Sequence, residues 1–226
     1  APFTNATVFI SLFGGGPLDD DLRAIKPNGK AFTGLFDSAL ANYRNDPRAT
    51  FVYAVTEDGI EYIEDTVKKI RDNGNRLTFN FYSKYDSNHP LKLDNERRLL
   101  ELLSNLKVKY PKTITNHQEH IKAIVTGNSW LGTFGYEVCP SISSDHPDNI
   151  SRKANGNPIL PGFNTYKPDL ETLEVCCTSG HCSDCRDSQA VYSWLLTGLK
   201  ASLRDEKALK TWIEVAEAYW SQFIWS

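Results

Sequence analysis

Short apolar runs alternate with longer stretches of helical period from residue 8 to about residue 110, a pattern that predicts β/α units with parallel strands. Val8-Phe9-Ile10-Ser11-Leu12-Phe13 reads as the first strand, closed by Gly14-Gly15-Gly16. A helix is predicted over 34–45, where Leu35, Phe36, Ala39, Leu40 and Tyr43 recur at three- and four-residue spacing, and Pro47 ends it. Residues 50–55 read as the second strand. Glu57-Asp58 is placed to cap a helix whose buried stripe is Ile60, Ile63, Val67 and Ile70, and Asn73-Gly74 terminates it. Residues 77–82 read as the third strand, and a leucine-rich helix runs from Asp94 to about Lys109 with Pro111 as its stop. All three strands are near-continuous apolar runs, the pattern of parallel strands covered on both faces.

Three parallel strands alone leave raw edges, so more strands are expected from sequence upstream of Ala1. After Pro111 the pattern changes. Thr115 with Gln118 forms a capping-box spacing for a short helix over 116–126. Residues 127–172 are rich in Gly, Pro, Asn and Ser with little period, and a stretch of that length is expected to be functional or stapled. Two helical segments close the chain, one marked by Val191, Tyr192, Trp194, Leu195 and Leu199, the other by Trp212, Ile213, Val215, Ala216, Tyr219, Trp220 and Phe223. Core packing, or docking against further barrel strands, accounts for these aromatic positions. The expected organisation is 1–112 as β/α units and 113–226 as a cysteine-containing extension with a helical tail.

Composition narrows the classes. With 226 residues, 40% apolar and 12% aromatic, the chain can bury a sizeable core. A formal charge of −3 gives no bulk attraction to nucleic acid or to an anionic membrane surface. The apolar runs fall far short of the ~20 residues of a spanning helix, and residues 1–6 carry no secretion signal, so no membrane span and a cytoplasmic setting are expected. Methionine is absent, even at the first position, which points either to a trimmed fragment or to modified methionines lost from the printed sequence.

All five cysteines, Cys139, Cys176, Cys177, Cys182 and Cys185, lie in the second half. Cys177-x4-Cys182-x2-Cys185 brings three thiols close enough to share one centre, with Cys139 as a fourth ligand and Cys176 competing with Cys177. Thiolates suit zinc or an iron–sulfur cluster, and His146 or His181 can replace a cysteine around zinc. Without a secretion signal, and with one thiol left over, a disulfide set is the weaker expectation. Asp19-Asp20-Asp21 lacks metal-ligand spacing and reads as solvent-facing, the glycine run reads as a loop with unusual dihedrals, and His117 with His120 reads as a polar helix face.

Phe9-Ile10-Ser11-Leu12-Phe13-Gly14, the acidic patch, Arg23, Gly29 and Phe32, followed by an amphipathic helix, resemble the fourth strand and following helix of the radical S-adenosylmethionine barrel. Residues 50–56 and 77–82 would be its fifth and sixth strands, and the cysteine-rich tail resembles extensions that bind auxiliary clusters. The resemblance implies a partial parallel β/α barrel (α/β class, TIM-like), iron–sulfur chemistry and hydrogen-atom abstraction by an oxidoreductase. It implies that Ser11, Thr56, Asn80 and Tyr82 line the S-adenosylmethionine rim and that Arg23 meets the cofactor carboxylate. Strand-end packing and turn capping explain the rim residues equally well. An auxiliary 4Fe-4S cluster, or zinc in its place, a small-molecule or peptide substrate and an electron donor protein complete the expectation. Phe13 stands where many members have Asp, and the family's Cys-x3-Cys-x2-Cys loop is absent from this chain. The alternative is a non-catalytic, zinc-stapled α/β binding module.

Overall fold

A computed structural model describes residues 6–23, 30, 32–81, 93–134, 165–166, 173–174 and 186–223. Its centre is a sheet of three parallel strands in the order β1 (Val8–Leu12), β2 (Ala49–Val55), β3 (Arg76–Phe81). The register pairs Phe9 with Thr50 and Ser11 with Val52, and then Thr50 with Arg76, Val52 with Thr78 and Ala54 with Asn80. Beyond β3, Leu77 bridges in parallel to Ile114 through bonds from the Leu77 amide to the Thr113 carbonyl and from the Thr115 amide to the Leu77 carbonyl. The chain therefore winds in one direction, each strand beside its predecessor. Among the described residues the sheet is open and no barrel closes.

The helices between the strands follow from their apolar stripes. Helices α1 (Pro17–Arg23) and α2 (Leu35–Asn42) connect β1 to β2, α3 (Ile63–Asp72) connects β2 to β3, and α4 (Leu93–Lys109) follows β3. Ile63, Val67 and Ile70 of α3 and Leu99, Leu103 and Leu106 of α4 are buried, as their three- and four-residue spacing predicts. Glu57 and Asp58 do not cap α3. A 3₁₀ turn over Ile60–Tyr62 leads into it instead, held by the Tyr53 hydroxyl donating to the Gly59 carbonyl at 2.6 Å. Gly74, at φ 80°, makes the left-handed turn that takes α3 into β3.

Strand alternation gives the sheet two unlike faces. One carries Leu12, Phe51, Tyr53, Val55, Leu77, Phe79 and Phe81, each no more than 3% exposed, and joins the helices in one hydrophobic cluster. The other carries Ser11, Thr50, Arg76, Thr78 and Asn80 beside Phe9, Val52 and Ala54. The expectation of strands apolar and covered on both faces is corrected here: Phe9 and Ser11 on this face are exposed, while Thr50 and Thr78 are buried and Thr78 and Asn80 meet partners on the second half of the chain.

That second half comprises α5 (Gln118–Thr126), α6 (Ser188–Thr197), α7 (Leu199–Ser202) and α8 (Glu206–Trp220), with short antiparallel pairs β4–β5 (Asn128–Ser129, Gly132–Thr133) and β6–β7 (Thr165–Tyr166, Leu173–Glu174). Ile121, Ile124, Val191, Tyr192, Leu195 and Val215 belong to the same cluster as the sheet. No described helix is long and apolar enough to cross a membrane.

Candidate functional site

The polar sheet face is organised around Asn116, which follows the Ile114 bridge. Its Oδ1 accepts from the Phe79 amide at 2.7 Å and from the Thr78 hydroxyl at 3.3 Å, while its Nδ2 donates to the Phe79 carbonyl at 3.1 Å. Two backbone partners thus fix which end of the amide is which. The same Nδ2 lies 3.1 Å from Nδ1 of His120, and since Nδ2 can only donate, Nδ1 carries the lone pair and Nε2 the proton. Nε2–H donates to the Ser188 carbonyl at 3.2 Å, with the Ser188 hydroxyl 3.3 Å away.

This assignment decides the chemistry of the pair. A serine beside a histidine suggests a nucleophile and its base, but the nitrogen facing Ser188 already bears the proton and has no lone pair to take another. His120 is fully buried, its ring stacks on Tyr192 at 3.5 Å between centroids and 9° between planes, and burial pushes its pKa down to about 3. It is a neutral strut between α5 and α6. The expected polar face for His117 and His120 is corrected accordingly. His117 does work at the surface side, where its Nδ1 accepts from the Glu119 amide and caps α5 in place of the expected Thr115–Gln118 box. Thr115 instead donates to the Leu77 carbonyl, and Gln118 to the Ser104 carbonyl.

At the carboxyl end of β3, Asn80 joins sheet to tail. Its Oδ1 accepts from the Ser188 amide at 2.7 Å and the Phe81 amide at 2.7 Å, and its Nδ2 donates to Asp187 at 3.3 Å. Asp187 in turn caps α6 by accepting from the Ala190 amide. Ser11 sits near the carboxyl end of β1 on the same sheet face, and Thr56 follows β2, where its hydroxyl accepts from the Gly59 amide at 3.1 Å. The described rim residues therefore stand at the ends of three adjacent parallel strands, where loops of β/α proteins converge on ligands. Two of them also hold turns. Thr56 keeps its hydroxyl proton and Asn80 one amide hydrogen beyond these bonds. Such neutral donors can meet a hydroxyl, carbonyl or carboxylate oxygen of a ligand.

Tyr82 and the Arg23 side chain lie outside the described residues, as do Cys139, Cys176, Cys177, Cys182, Cys185, His146 and His181. Among the described residues no group of three metal-ligating side chains comes together. The flanks of the cysteine segments are described, and they meet. The Arg186 guanidinium, adjacent in sequence to Cys185, lies 6.0 Å from the ring centroid of Phe134, five residues before Cys139. A side chain at Gly127 would collide with that guanidinium.

The glycine run and the acidic patch prove to be one structure, which residue type alone did not disclose. The Asp19 carboxylate is buried and accepts from the amides of Phe13, Gly14 and Gly15 at 2.7, 3.3 and 2.6 Å, and Asp20 accepts from the amides of Gly34 and Leu35. The solvent-facing reading is corrected for both, and holds for the exposed Asp21. The nest of amides that could hold a ligand's phosphate is filled by the chain's own anion. Gly15, at φ 70° and packed on Thr66, permits that turn. No family model matches this sequence, and no curated protein or solved structure matches it.

Proposed function

We propose that this chain is the later part of a radical S-adenosylmethionine barrel that carries a cysteine-ligated inorganic centre at the carboxyl rim of its strands. The observation that supports it is the 2.7 Å bond from the Ser188 amide to Asn80, because it ties the residue three places after Cys185 to the carboxyl end of β3. A centre on Cys182 and Cys185 would then border the rim where a β/α enzyme holds its substrate. The one-directional strand order, extended by Ile114, is shared by a barrel segment and by one half of a doubly wound sheet. The contact of Phe134 with Arg186 supports Cys139 as a ligand: five residues reach at most ~17 Å, enough to return to Cys185.

Bound there, a 4Fe-4S cluster would relay electrons or hold substrate, on Cys139, Cys176 or Cys177, Cys182 and Cys185. The residues of this chain supply the frame. Asn80 and Asp187 fix the start of α6, Arg186 packs over Phe134 between the cysteine flanks, and Thr56 and Asn80 offer neutral hydrogen bonds to a ligand on the rim.

Metal analysis of anaerobically purified protein tests the reading. Iron with sulfide in a brown sample, lost in Cys182→Ser and Cys185→Ser, is expected, and a sample with neither iron nor zinc overturns it. Stoichiometric zinc in a colourless sample selects the second reading, a zinc-stapled α/β binding module. The exposed Ile213 and Trp220 on α8, at 44% and 59%, favour that reading as a partner-binding face.

A further inference from the structure

Helix α8 carries two apolar stripes, and the fold covers one of them. Val215 is buried and Tyr219 packs on the hydrophobic cluster, so that side of the helix faces the core. On the opposite side Leu209, Ile213, Ala216 and Trp220 recur at four-, three- and four-residue spacing, and Ile213 and Trp220 are exposed. An open groove of about 560 Å³ continues this stripe, between Trp212, Ala216 and Trp220 on the helix and Arg76 at the start of β3. A surface helix needs one apolar face to hold it to its domain. A second one, with an indole more than half exposed, marks a contact with another molecule.

The charges beside the stripe select that molecule. Lys210 and Glu217 are both exposed and lie on the same edge of the stripe, three residues before Ile213 and four after it. Glu214 is engaged within the chain, 3.5 Å from His117. Two such helices packed antiparallel, about a twofold axis at residues 213–214, bring Lys210 of each copy opposite Glu217 of the other. Two ion pairs then bracket the contact of Ile213 with Ile213. Ala216 lets the backbones approach near the axis, and each Trp220 covers the first turn of the other helix. A parallel pairing would set lysine beside lysine and glutamate beside glutamate, which repulsion opposes. A ligand of one sign, such as nucleic acid or an acidic peptide, would meet Glu217 unfavourably.

We propose that this face of α8 is the contact between two copies of the chain, packed antiparallel and bracketed by Lys210–Glu217 pairs. A helix of 15 residues is about 22 Å long, so the contact belongs to the small class below ~1,200 Å² and the dimer is weak, with a dissociation constant of about 100 µM. This names the occupant of the face noted above for a binding module. It draws on no cysteine and no metal, so a sample devoid of iron and zinc would still dimerise.

Sedimentation velocity of the full chain, with a thiol reductant at low ionic strength, tests the pairing from about 10 µM to about 1 mM. A reversible monomer–dimer equilibrium is expected. Lys210→Glu and Glu217→Lys, both at exposed positions, should each weaken it about tenfold with an unchanged circular dichroism spectrum, because two attractive pairs become two repulsive ones. In an equimolar mixture of the two variants every such contact again joins opposite charges, and a heterodimer about as tight as the parent dimer is expected. A monomer at every concentration, a dimer undiminished in either variant, or a mixture that fails to associate overturns the proposal.

Discussion

Single side chains decide the character of the sheet's polar face, and His120 is the most consequential. The unfolded chain takes up a proton on this histidine near pH 6.5, the folded chain only near 3. The folded state is therefore disfavoured wherever the unfolded state binds more protons: the contribution of the neutral imidazole is complete above pH 6.5 and is lost as pH falls towards 3. Burial lowers the His117 pKa as well, so comparison with a variant isolates His120. In urea titrations, the stability lost between pH 7 and pH 5 should be about 2 kcal/mol smaller for His120→Gln than for the parent chain. Equal losses would refute the buried neutral assignment. Asp19 makes the second residue-scale prediction. Removing an acceptor shared by three backbone amides, Asp19→Ala should cost about 2–4 kcal/mol, whereas Asp21→Ala should stay within about 0.5 kcal/mol by the same titration. Neither role was legible in the sequence, because a run of three aspartates gives no sign of which carboxylate turns inward, and a histidine's tautomer depends on an asparagine four residues away that is fixed by another strand.

Elements were more legible than the residues that join them. The stripes of α3 and α4 and the three apolar runs announced themselves through periodicity, since a buried face must repeat at the period of its element. The starts of the helices did not. Thr115 and Gln118 have capping-box spacing, yet β3 claims the threonine hydroxyl for the Leu77 carbonyl, and the cap falls to His117. Pairing with a neighbouring strand outweighed a local motif there. The alternation of Ser11, Thr78 and Asn80 with apolar neighbours was visible, but only the register shows that these residues share a face. Asn80 then acts as the latch between β3 and α6. Asn80→Ala removes the acceptor for the Ser188 amide, and hydrogen exchange at Ser188 should accelerate about tenfold, while the amide of Phe51, in the middle of the sheet, should remain protected. Unchanged exchange at Ser188 would show that the start of α6 is held by other contacts.

At the scale of the molecule, the question is whether the strands and the helical tail fold as one unit. Composition shifts near residue 112, which suggests two parts, but the hydrophobic cluster runs from Leu12 through Phe79 and Ile121 to Tyr192 and Val215 without a break. Polar links cross the same boundary at Asn116, Asn80 and Arg76, whose guanidinium donates to the Ser221 carbonyl at 2.7 Å. All five tryptophans, Trp130, Trp194, Trp212, Trp220 and Trp225, lie beyond residue 112, so their fluorescence reports the second half alone. Phe79 is fully buried in β3, and Phe79→Ala should cost about 3–5 kcal/mol through the lost contacts and the cavity left behind. If folding is cooperative across the boundary, that loss should shift the tryptophan transition in urea by the full amount and keep it coincident with the far-UV circular dichroism transition. A tryptophan transition left in place while the sheet unfolds earlier would separate the two halves, and would leave the polar face dependent on docking between them.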